Sequence, residues 1–391
     1  MTVRIVVLTG LDEEPVAVAR ERLAGTGLPT LDYRRDGQDR LVRSFGDGQG
    51  GIDSAALHCG QRCVPCTVLT DLAHVLGEYS AASWAAGLLV VLPPAVPGWV
   101  VLDALRSLHP VVQERIELGS LITALDPVTL PAVLRTAEPL SSRGIRIGHG
   151  DQACGGFLIE ELLFSDCYVL VGSPGSTADF VLGLELARQI APHGWATMLG
   201  TGPAILPPAD PARTGYDPVE VGWRTAPGSV AVAHDDGRGR IRTHLAHTRR
   251  PLHPVRLKRA LGAIIKDCSW SRGRAWVSSV PDRKVAWTSI GPQLSLCNGG
   301  PWLADRPERS SGTMDTEGIL NWDPELGDRG CWLAFTGENL RPTRIDALLA
   351  QCELTDEEYW RGPESWRRLP DPLHLSESFG HAHPATLDLR S

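Results

Sequence analysis

Short apolar runs alternate with segments of helical periodicity along the first half of the chain. The runs have the length of buried strands. They cover 3–8, 87–92, 118–125 and 168–171. Between them, apolar residues recur at helical spacing, as in 68–76 and 182–190. Strands that alternate with helices predict an α/β fold, in which a mostly parallel sheet carries helices on both faces.

The pattern changes after residue 200. The segment 202–228 is rich in Pro, Gly and Ala, which predicts a linker. Later runs predict a small α+β domain with strands at 230–233, 240–248, 275–277, 285–290 and 331–336 and helices at 255–265 and 344–352. The predicted organisation is a first domain at 1–201, a linker at 202–228, a second domain at 229–373 and a frayed polar tail at 374–391.

Composition narrows the class of protein. The chain has 391 residues and a formal net charge of −8, so no overall basic field favours nucleic acid, and no nucleic-acid-binding motif is found. No apolar run is long enough to span a membrane, and the first residues lack the pattern of a secretory signal. The odd number of cysteines, nine, favours thiols or metal ligands over a disulfide framework. We therefore expect a cytoplasmic protein.

Five motifs follow one another in the second half. They are RRPLHP at 249–254, GRAWV at 273–277, GGPW at 299–302, GDR at 327–329 and LTDEE at 354–358. In this order they resemble the C-terminal domain of CobW-type proteins, a family of P-loop GTPases and metallochaperones. The resemblance implies a P-loop-type first domain followed by a CobW-type α+β domain.

The nucleotide-binding motifs of that family are missing at the matching positions. Where the family has its Walker A loop, this chain has Thr9-Gly10-Leu11-Asp12-Glu13-Glu14-Pro15, without the second Gly, the Lys or the Ser/Thr. The family's switch motif and its guanine-reading motif match 93–98 and 172–175, and neither segment has an acidic residue. We therefore expect neither GTP nor Mg²⁺ to bind tightly, and we assign no catalytic residue.

A cysteine cluster precedes the helix predicted from residue 68. Cys63 and Cys66 form a C-x-x-C pair at the place of the family's metal motif, and Cys59 can supply a third thiolate. Thiolates with an imidazole suit Zn²⁺, so we predict a zinc site of Cys59, Cys63 and Cys66, with His58 or His74 as the fourth ligand. A redox pair or small buried residues are the alternatives.

Other cysteines and histidines lack metal-ligand spacing. We expect the remaining cysteines to be core thiols: Cys154, Cys167, Cys268, Cys297, Cys331 and Cys352. His244 and His247 lie three residues apart on a predicted strand and should face opposite sides. The histidines of the tail are expected to be solvated: His374, His381 and His383.

The erased nucleotide motifs are similar to those of an actinobacterial branch of the family, in which one member recruits a ribosome-hibernation factor to the ribosome when zinc is plentiful. The resemblance implies a zinc-linked adaptor or regulator that binds protein partners, among them the ribosome or a ribosome-associated factor. The alternative is a GTP-dependent zinc metallochaperone with weak hydrolysis. A third hypothesis is a scaffold that uses neither metal nor nucleotide.

Overall fold

A computed structural model describes thirteen segments of the chain: 2–25, 27–37, 40–47, 52–59, 64–78, 87–108, 110–143, 152–172, 177–199, 216–233, 239–306, 322–379 and 385–389. These residues form two compact units. The first comprises 1–133 and 138–221, and the second comprises 134–137 and 222–391.

The first unit is built on an eight-stranded sheet with the order β4-β3-β2-β5-β1-β6-β7-β8. Its strands are β1 (Val3–Gly10), β2 (Thr30–Arg35), β3 (Arg40–Gly46), β4 (Ile52–His58), β5 (Leu88–Val91), β6 (Ile116–Leu125), β7 (Cys167–Val171) and β8 (Trp195–Leu199). Six neighbouring strands are parallel to one another: β2, β5, β1, β6, β7 and β8. Strands β3 and β4 add an antiparallel hairpin at the β2 edge.

Helices cover both faces of this sheet because the central strands are apolar on both sides. The helices of the unit are α1 (Glu13–Ala24), α2 (Val64–Glu78), α3 (Gly98–Arg106), α4 (Pro110–Gln113), α5 (Leu130–Arg135), α6 (Cys154–Phe164), α7 (Thr177–Ile190) and α8 (Pro218–Arg224). On β1, Ile5 and Val7 belong to the same core as Val68 of α2, and Leu8 belongs to the opposite core with Val16 of α1. The predicted α/β class is therefore confirmed.

The second unit contains a six-stranded antiparallel sheet with the order β14-β12-β11-β10-β13-β9. Its strands are β9 (Arg242–Thr248), β10 (Trp270–Ala275), β11 (Arg283–Ile290), β12 (Gln293–Pro301), β13 (Cys331–Gly337) and β14 (Ala385–Asp388). Its helices are α9 (Pro254–Ile265), α10 (Pro342–Cys352), α11 (Asp356–Trp360), α12 (Pro363–Trp366) and α13 (Leu375–Ser378). Helices α9 and α10 pack together on the apolar core, as an α+β domain requires.

Three local predictions differ from the structure. Residues 230–233 are irregular and not a strand. Helix α8 lies within the segment predicted to be a linker. The tail beyond residue 373 was expected to fray, but Leu375 is fully buried and β14 pairs with β12, because apolar side chains at 373, 375 and 387 pack on the core.

The predicted core thiols are found in place. Five of the six cysteines are buried and Cys297 is half-buried. The Nε2 atom of His244 lies 2.7 Å from Oδ1 of Asp346, within hydrogen-bond distance, whereas His247 packs against the Trp332 ring, so the two histidines face different surroundings. Of the tail histidines, His374 is described and exposed, and the other two lie outside the described residues. Among the described helices, none has both the length and the apolarity that crossing a bilayer requires.

Candidate nucleotide cleft and metal site

The connection between β1 and α1 is too short to form a phosphate-binding loop. Strand β1 ends at Gly10 and α1 begins at Glu13, so that only Leu11 and Asp12 join them. A Walker A loop needs a longer glycine-rich turn, whose backbone N–H groups surround the phosphates before the helix starts. This edge of the sheet therefore keeps the strand-to-helix turn without the phosphate cradle.

The glycine that remains from the motif is required by packing. A Cβ at Gly10 would lie 2.5 Å from the carbonyl oxygen of Ala124 and 2.7 Å from Cγ2 of Val16. The Gly10 carbonyl accepts a hydrogen bond of 2.8 Å from the N–H of Ala95. Gly10 thus lets β1, β6 and α1 approach closely, which is a different use from contact with a nucleotide.

Carboxylates and one guanidinium occupy the mouth of the α1 turn. Asp12 makes no capping hydrogen bond to α1. Its carboxylate instead accepts a hydrogen bond of 2.5 Å from Arg143, which also donates to both oxygens of Glu138 at 3.1 Å. Burial raises the pKa of Asp12, Arg143 lowers it, and Asp126 raises it further. A polyphosphate placed here would meet like charge, with Arg143 already bound to two carboxylates.

A buried carboxyl lies beneath the segment that matches the family's switch. Glu161 of α6 is fully buried, and its two oxygens accept the N–H of Gly98 at 3.2 and 3.1 Å, so it caps the first turn of α3. Burial raises the pKa of Glu161 well above its ordinary value, and the Gly98 N–H opposes that shift. Glu161 is not among the functional residues predicted from the sequence. Its signal is a Glu four residues after Phe157, on the apolar face of α6.

The guanine-reading position follows β7. Gly172 is described there, and 173–176 lie outside the described residues. The prediction that this segment lacks a guanine-binding Asp rests on the sequence.

The cysteine cluster lies between β4 and α2. Cys59 directly follows β4 and is 4% exposed, packed in the apolar core that includes Leu41 and Val68. Cys66 is exposed in the first turn of α2. Cys63 lies outside the described residues, so the set of Cys59, Cys63 and Cys66 stays a prediction, and the described part of the chain contains no group of three metal-binding side chains.

The two described cysteines of the predicted site differ in state, because Cys59 is a buried free thiol and Cys66 is not free. Cys66 is disulfide-bonded in this structure, and its sulfur must be reduced before it can bind Zn²⁺ as a thiolate. Once reduced, its place at the N-terminal end of α2 favours the thiolate. Cys59 interacts electrostatically with Arg35, whose pKa is lowered by burial and raised by Cys59. The Nε and Nη2 atoms of Arg35 are buried without a hydrogen-bond partner among the described residues, so a negative charge would be stabilised there.

The two histidines proposed as fourth ligand differ in position. His58 is exposed at the end of β4, next to Cys59. His74 is also exposed, but it lies eight residues beyond Cys66 on α2, about 12 Å along the helix axis. Tetrahedral Zn²⁺ holds its ligand atoms at about 2.0–2.3 Å, so the helix geometry favours His58.

The helix that carries Cys66 is fixed to the sheet by a polar network. Asp71 of α2 accepts a hydrogen bond of 2.8 Å from the Tyr33 hydroxyl and pairs with Arg43 at 3.0 Å. Tyr33 and Arg43 lie on β2 and β3, so the network joins the hairpin that leads to Cys59 with the helix that begins beside Cys66. Asp71 therefore fixes α2 against strands β2 and β3.

In the second unit, the motifs found in the sequence make structural contacts. His253 caps α9 by accepting the Val255 N–H at 3.2 Å. Glu358 pairs with Arg256 at 2.6 Å and forms a capping box with Thr355. Arg250 of the RRPLHP motif pairs with Asp356 of the LTDEE motif at 2.6 Å, and the Leu354 N–H donates to the Pro251 carbonyl, so the two motifs hold each other in place.

Comparison with known proteins agrees with this domain. Residues 241–353 match the cobalamin synthesis protein cobW C-terminal domain. The zinc chaperone Rv0106 of Mycobacterium tuberculosis H37Rv is 25% identical over 406 aligned positions, which cover 95% of this chain and 93% of that protein. Zinc-regulated GTPase metalloprotein activator 1 of Dictyostelium discoideum is 26% identical over 274 residues, 67% of this chain. The chain spans 57% of the length of that relative.

A solved structure of the Zn(II)-bound YjiA GTPase from E. coli aligns with 90% of this chain and all of that chain, at 12% identity. The TM-score of 0.35 is too low to support a conclusion about this chain. The family match is more informative, because its residues 241–353 span strands β9 to β13 and helices α9 and α10 of the second unit. Residues 241–353 are thus similar to a CobW C-terminal domain.

Proposed function

We propose that this chain is a zinc-linked adaptor or regulator of the CobW family, which binds a protein partner and has lost GTP turnover. The main support for the loss of GTP turnover is the two-residue connection between β1 and α1. With Asp12 paired to Arg143 at its mouth, the connection offers neither the backbone N–H cradle nor the lysine that a triphosphate requires.

Zinc is supported by the donor set and by the relatives. A pair of thiolates at Cys63 and Cys66 with a third at Cys59 would supply soft ligands, which select Zn²⁺ over the oxygen-preferring Mg²⁺. One of the four tetrahedral positions then belongs to His58 or to an exchangeable ligand. The two relatives are described as a zinc chaperone and a zinc-regulated activator of metalloproteins, and both descriptions imply protein partners.

The first experiment measures metal and nucleotide on the same reduced sample. Elemental analysis of anaerobically purified protein should give about one zinc per chain, and calorimetry with GTP, Mg²⁺ and Zn²⁺ should show no binding. Micromolar GTP affinity would contradict the loss of turnover and would favour the alternative, a GTP-dependent zinc metallochaperone, which the name of the Dictyostelium relative suggests.

Cysteine variants test the metal ligands. Cys63→Ser with Cys66→Ser should remove zinc, whereas Cys297→Ser, at a half-buried thiol of the second unit, should leave it unchanged. Retention of zinc by the double variant would rule out the predicted site, and a competent thiol–disulfide exchange activity in the metal-free wild type would favour the redox alternative.

The partner is tested separately. We propose the ribosome or a ribosome-associated factor, on the resemblance to the degenerate branch of the family. Cosedimentation with ribosomes from the source cell should require zinc and be lost in the double variant. Zinc-independent cosedimentation would favour a scaffold that uses neither metal nor nucleotide.

A further inference from the structure

Arg35 brings a positive charge to the edge of the core that α2 covers. Side chains alternate along β2, so Leu31, Tyr33 and Arg35 share one face, and Leu31 and Tyr33 are buried in the same core as Val68 of α2. The Arg35 side chain is half-buried. Its Nε and Nη2 atoms are fully buried and form no hydrogen bond within the described part of the chain. Two nitrogens of a charged group have therefore lost water without gaining an acceptor.

The register of the β2–β3–β4 strands places Arg35 near Cys59. Arg35 stands opposite Leu41 of β3, and Leu41 stands opposite Leu57 of β4. Directly opposed residues of an antiparallel pair lie on the same face, so these three residues form one row across the sheet. Cys59 is two residues beyond Leu57, and it is buried in the same core as Leu41. Arg35 and Cys59 thus lie on the same face, in neighbouring rows.

The buried carboxylates of this region are bound to other cations. Asp32 lies on the opposite face of β2, where it pairs with Arg20 at 2.9 Å. Asp71 pairs with Arg43 at 3.0 Å. Neither carboxylate is therefore available to balance the charge of the Arg35 guanidinium.

Cys59 is the group near Arg35 that can become negative. Burial lowers the pKa of Arg35, and the interaction with Cys59 opposes that shift. Zn²⁺ held by three thiolates and a neutral imidazole carries one excess negative charge. A guanidinium stays protonated under all ordinary conditions, so it can balance such a charge permanently.

We propose that Arg35 is the counter-charge of the predicted zinc site and that its guanidinium stabilises the zinc-bound thiolate of Cys59. The inference rests on the proposed function, because it requires Cys59 to bind zinc, and it adds a residue that is not itself a ligand. It implies a trade-off in stability. Without zinc the guanidinium is buried and unbalanced, whereas with zinc it strengthens the site.

Zinc affinity of three variants tests the counter-charge. Arg35→Met keeps an unbranched apolar stem and removes the charge, whereas Arg35→Lys keeps a charge. Arg34→Met is the matched control, because Arg34 is the next residue along β2, lies on the opposite face and pairs with Asp32. Affinity is measured on reduced protein by competition with a chromophoric chelator. Arg35→Met should bind zinc roughly tenfold or more weakly than wild type, Arg35→Lys should recover part of that loss, and the control should bind as wild type does.

A double-mutant cycle assigns the effect to Cys59. In a Cys59→Ser background the thiolate is absent, so adding Arg35→Met should change zinc affinity little. An equal loss in both backgrounds, or an equal loss in Arg34→Met, would overturn the inference.

Thermal unfolding of zinc-free protein gives a second readout. Arg35→Met should have a higher Tm than wild type without zinc, because it removes a buried charge that has no counterion, and it should gain less from added zinc. A lower Tm of the zinc-free variant, or its failure to fold, would show that the guanidinium has a structural role and would overturn the inference.

The outcomes separate this inference from the proposed function. A wild type that binds zinc no more tightly than Arg35→Met would reject only the role of Arg35. A reduced wild type that binds no zinc would reject the zinc site of the proposed function, and the counter-charge with it.

Discussion

The GDR motif of the second unit contains a buried ion pair whose removal should unfold that unit at a much lower temperature. Nζ of Lys284 lies 3.0 Å from Oδ2 of Asp328, and the two side chains are 6% and 0% exposed. Asp328 also accepts the backbone N–H groups of Leu303 and Ala304 at 3.0 and 3.1 Å. Asp328→Asn would leave the lysine charge buried without its counterion and turn an amide N–H₂ toward one of two N–H donors.

The magnitude follows from burial. Breaking a buried ion pair at one partner costs about 3–5 kcal/mol. For a domain of roughly 150–250 residues, each 1 kcal/mol lowers Tm by about 2–4 °C. We therefore expect the transition of the second unit to fall by roughly 6–20 °C in Asp328→Asn.

An exposed pair in the same unit is the control. Arg367 lies 3.0 Å from Asp282, but the two side chains are 48% and 55% exposed. Asp282→Asn should therefore change stability by about 0–1 kcal/mol. Differential scanning calorimetry with tryptophan fluorescence separates the two units' transitions. Equal shifts for the two aspartate variants would refute the assignment of the GDR aspartate to folding.

Three further changes probe the first unit and the pH response. Gly10→Ala should destabilise the first unit by about 1–3 kcal/mol, because the new Cβ would meet the Ala124 carbonyl. Gly77→Ala is the control: no atom lies within 4 Å of the new Cβ, so thermal denaturation should show α2 stabilised by roughly 0.5–1 kcal/mol. The pKa of Glu358 is lowered from 4.5 to about 2, chiefly by hydrogen bonds from a guanidinium. The contribution of the Glu358 carboxylate to the free energy of unfolding is thus complete above about pH 4.5 and is lost as pH falls toward 2. In urea unfolding, Glu358→Gln should therefore be less stable than wild type at pH 7 and as stable as wild type at pH 2. Asp71→Asn should weaken zinc binding and Asp71→Glu should partly restore it; unchanged metal affinity by competition titration would contradict its positioning role.

Elements with long local signals could be predicted from the sequence. Strand β7 and helix α9 were expected at 168–171 and 255–265, and they occur at Cys167–Val171 and Pro254–Ile265. Strand β7 is a continuous apolar run, and α9 has apolar residues at helical spacing, so each signal lies within a single segment. The α/β class and the order of the two units follow from such signals.

Features that depend on pairing between distant segments could not be predicted. The hairpin of β3 and β4 has half-exposed, mixed strands, and β14 is a strand only because β12 offers it an edge. The contacts of Glu161 with Gly98 and of Lys284 with Asp328 join residues 63 and 44 positions apart. No local periodicity encodes such a partner, so neither contact could be predicted.

The two halves of the chain carry different kinds of evidence about function. In the second unit, the recognisable motifs are held in capping and ion-pair contacts, as with His253 on α9 and Asp328 on the Leu303 turn. These contacts stabilise the fold of the domain and say nothing about what the protein binds. In the first unit the same kind of glycine, Gly10, is kept by packing while the residues around it have become acidic. Asp12, Glu13 and Glu14 make the turn after Gly10 acidic, and Asp12 pairs there with Arg143, so the charge of this turn disfavours a polyphosphate whatever else the first unit binds.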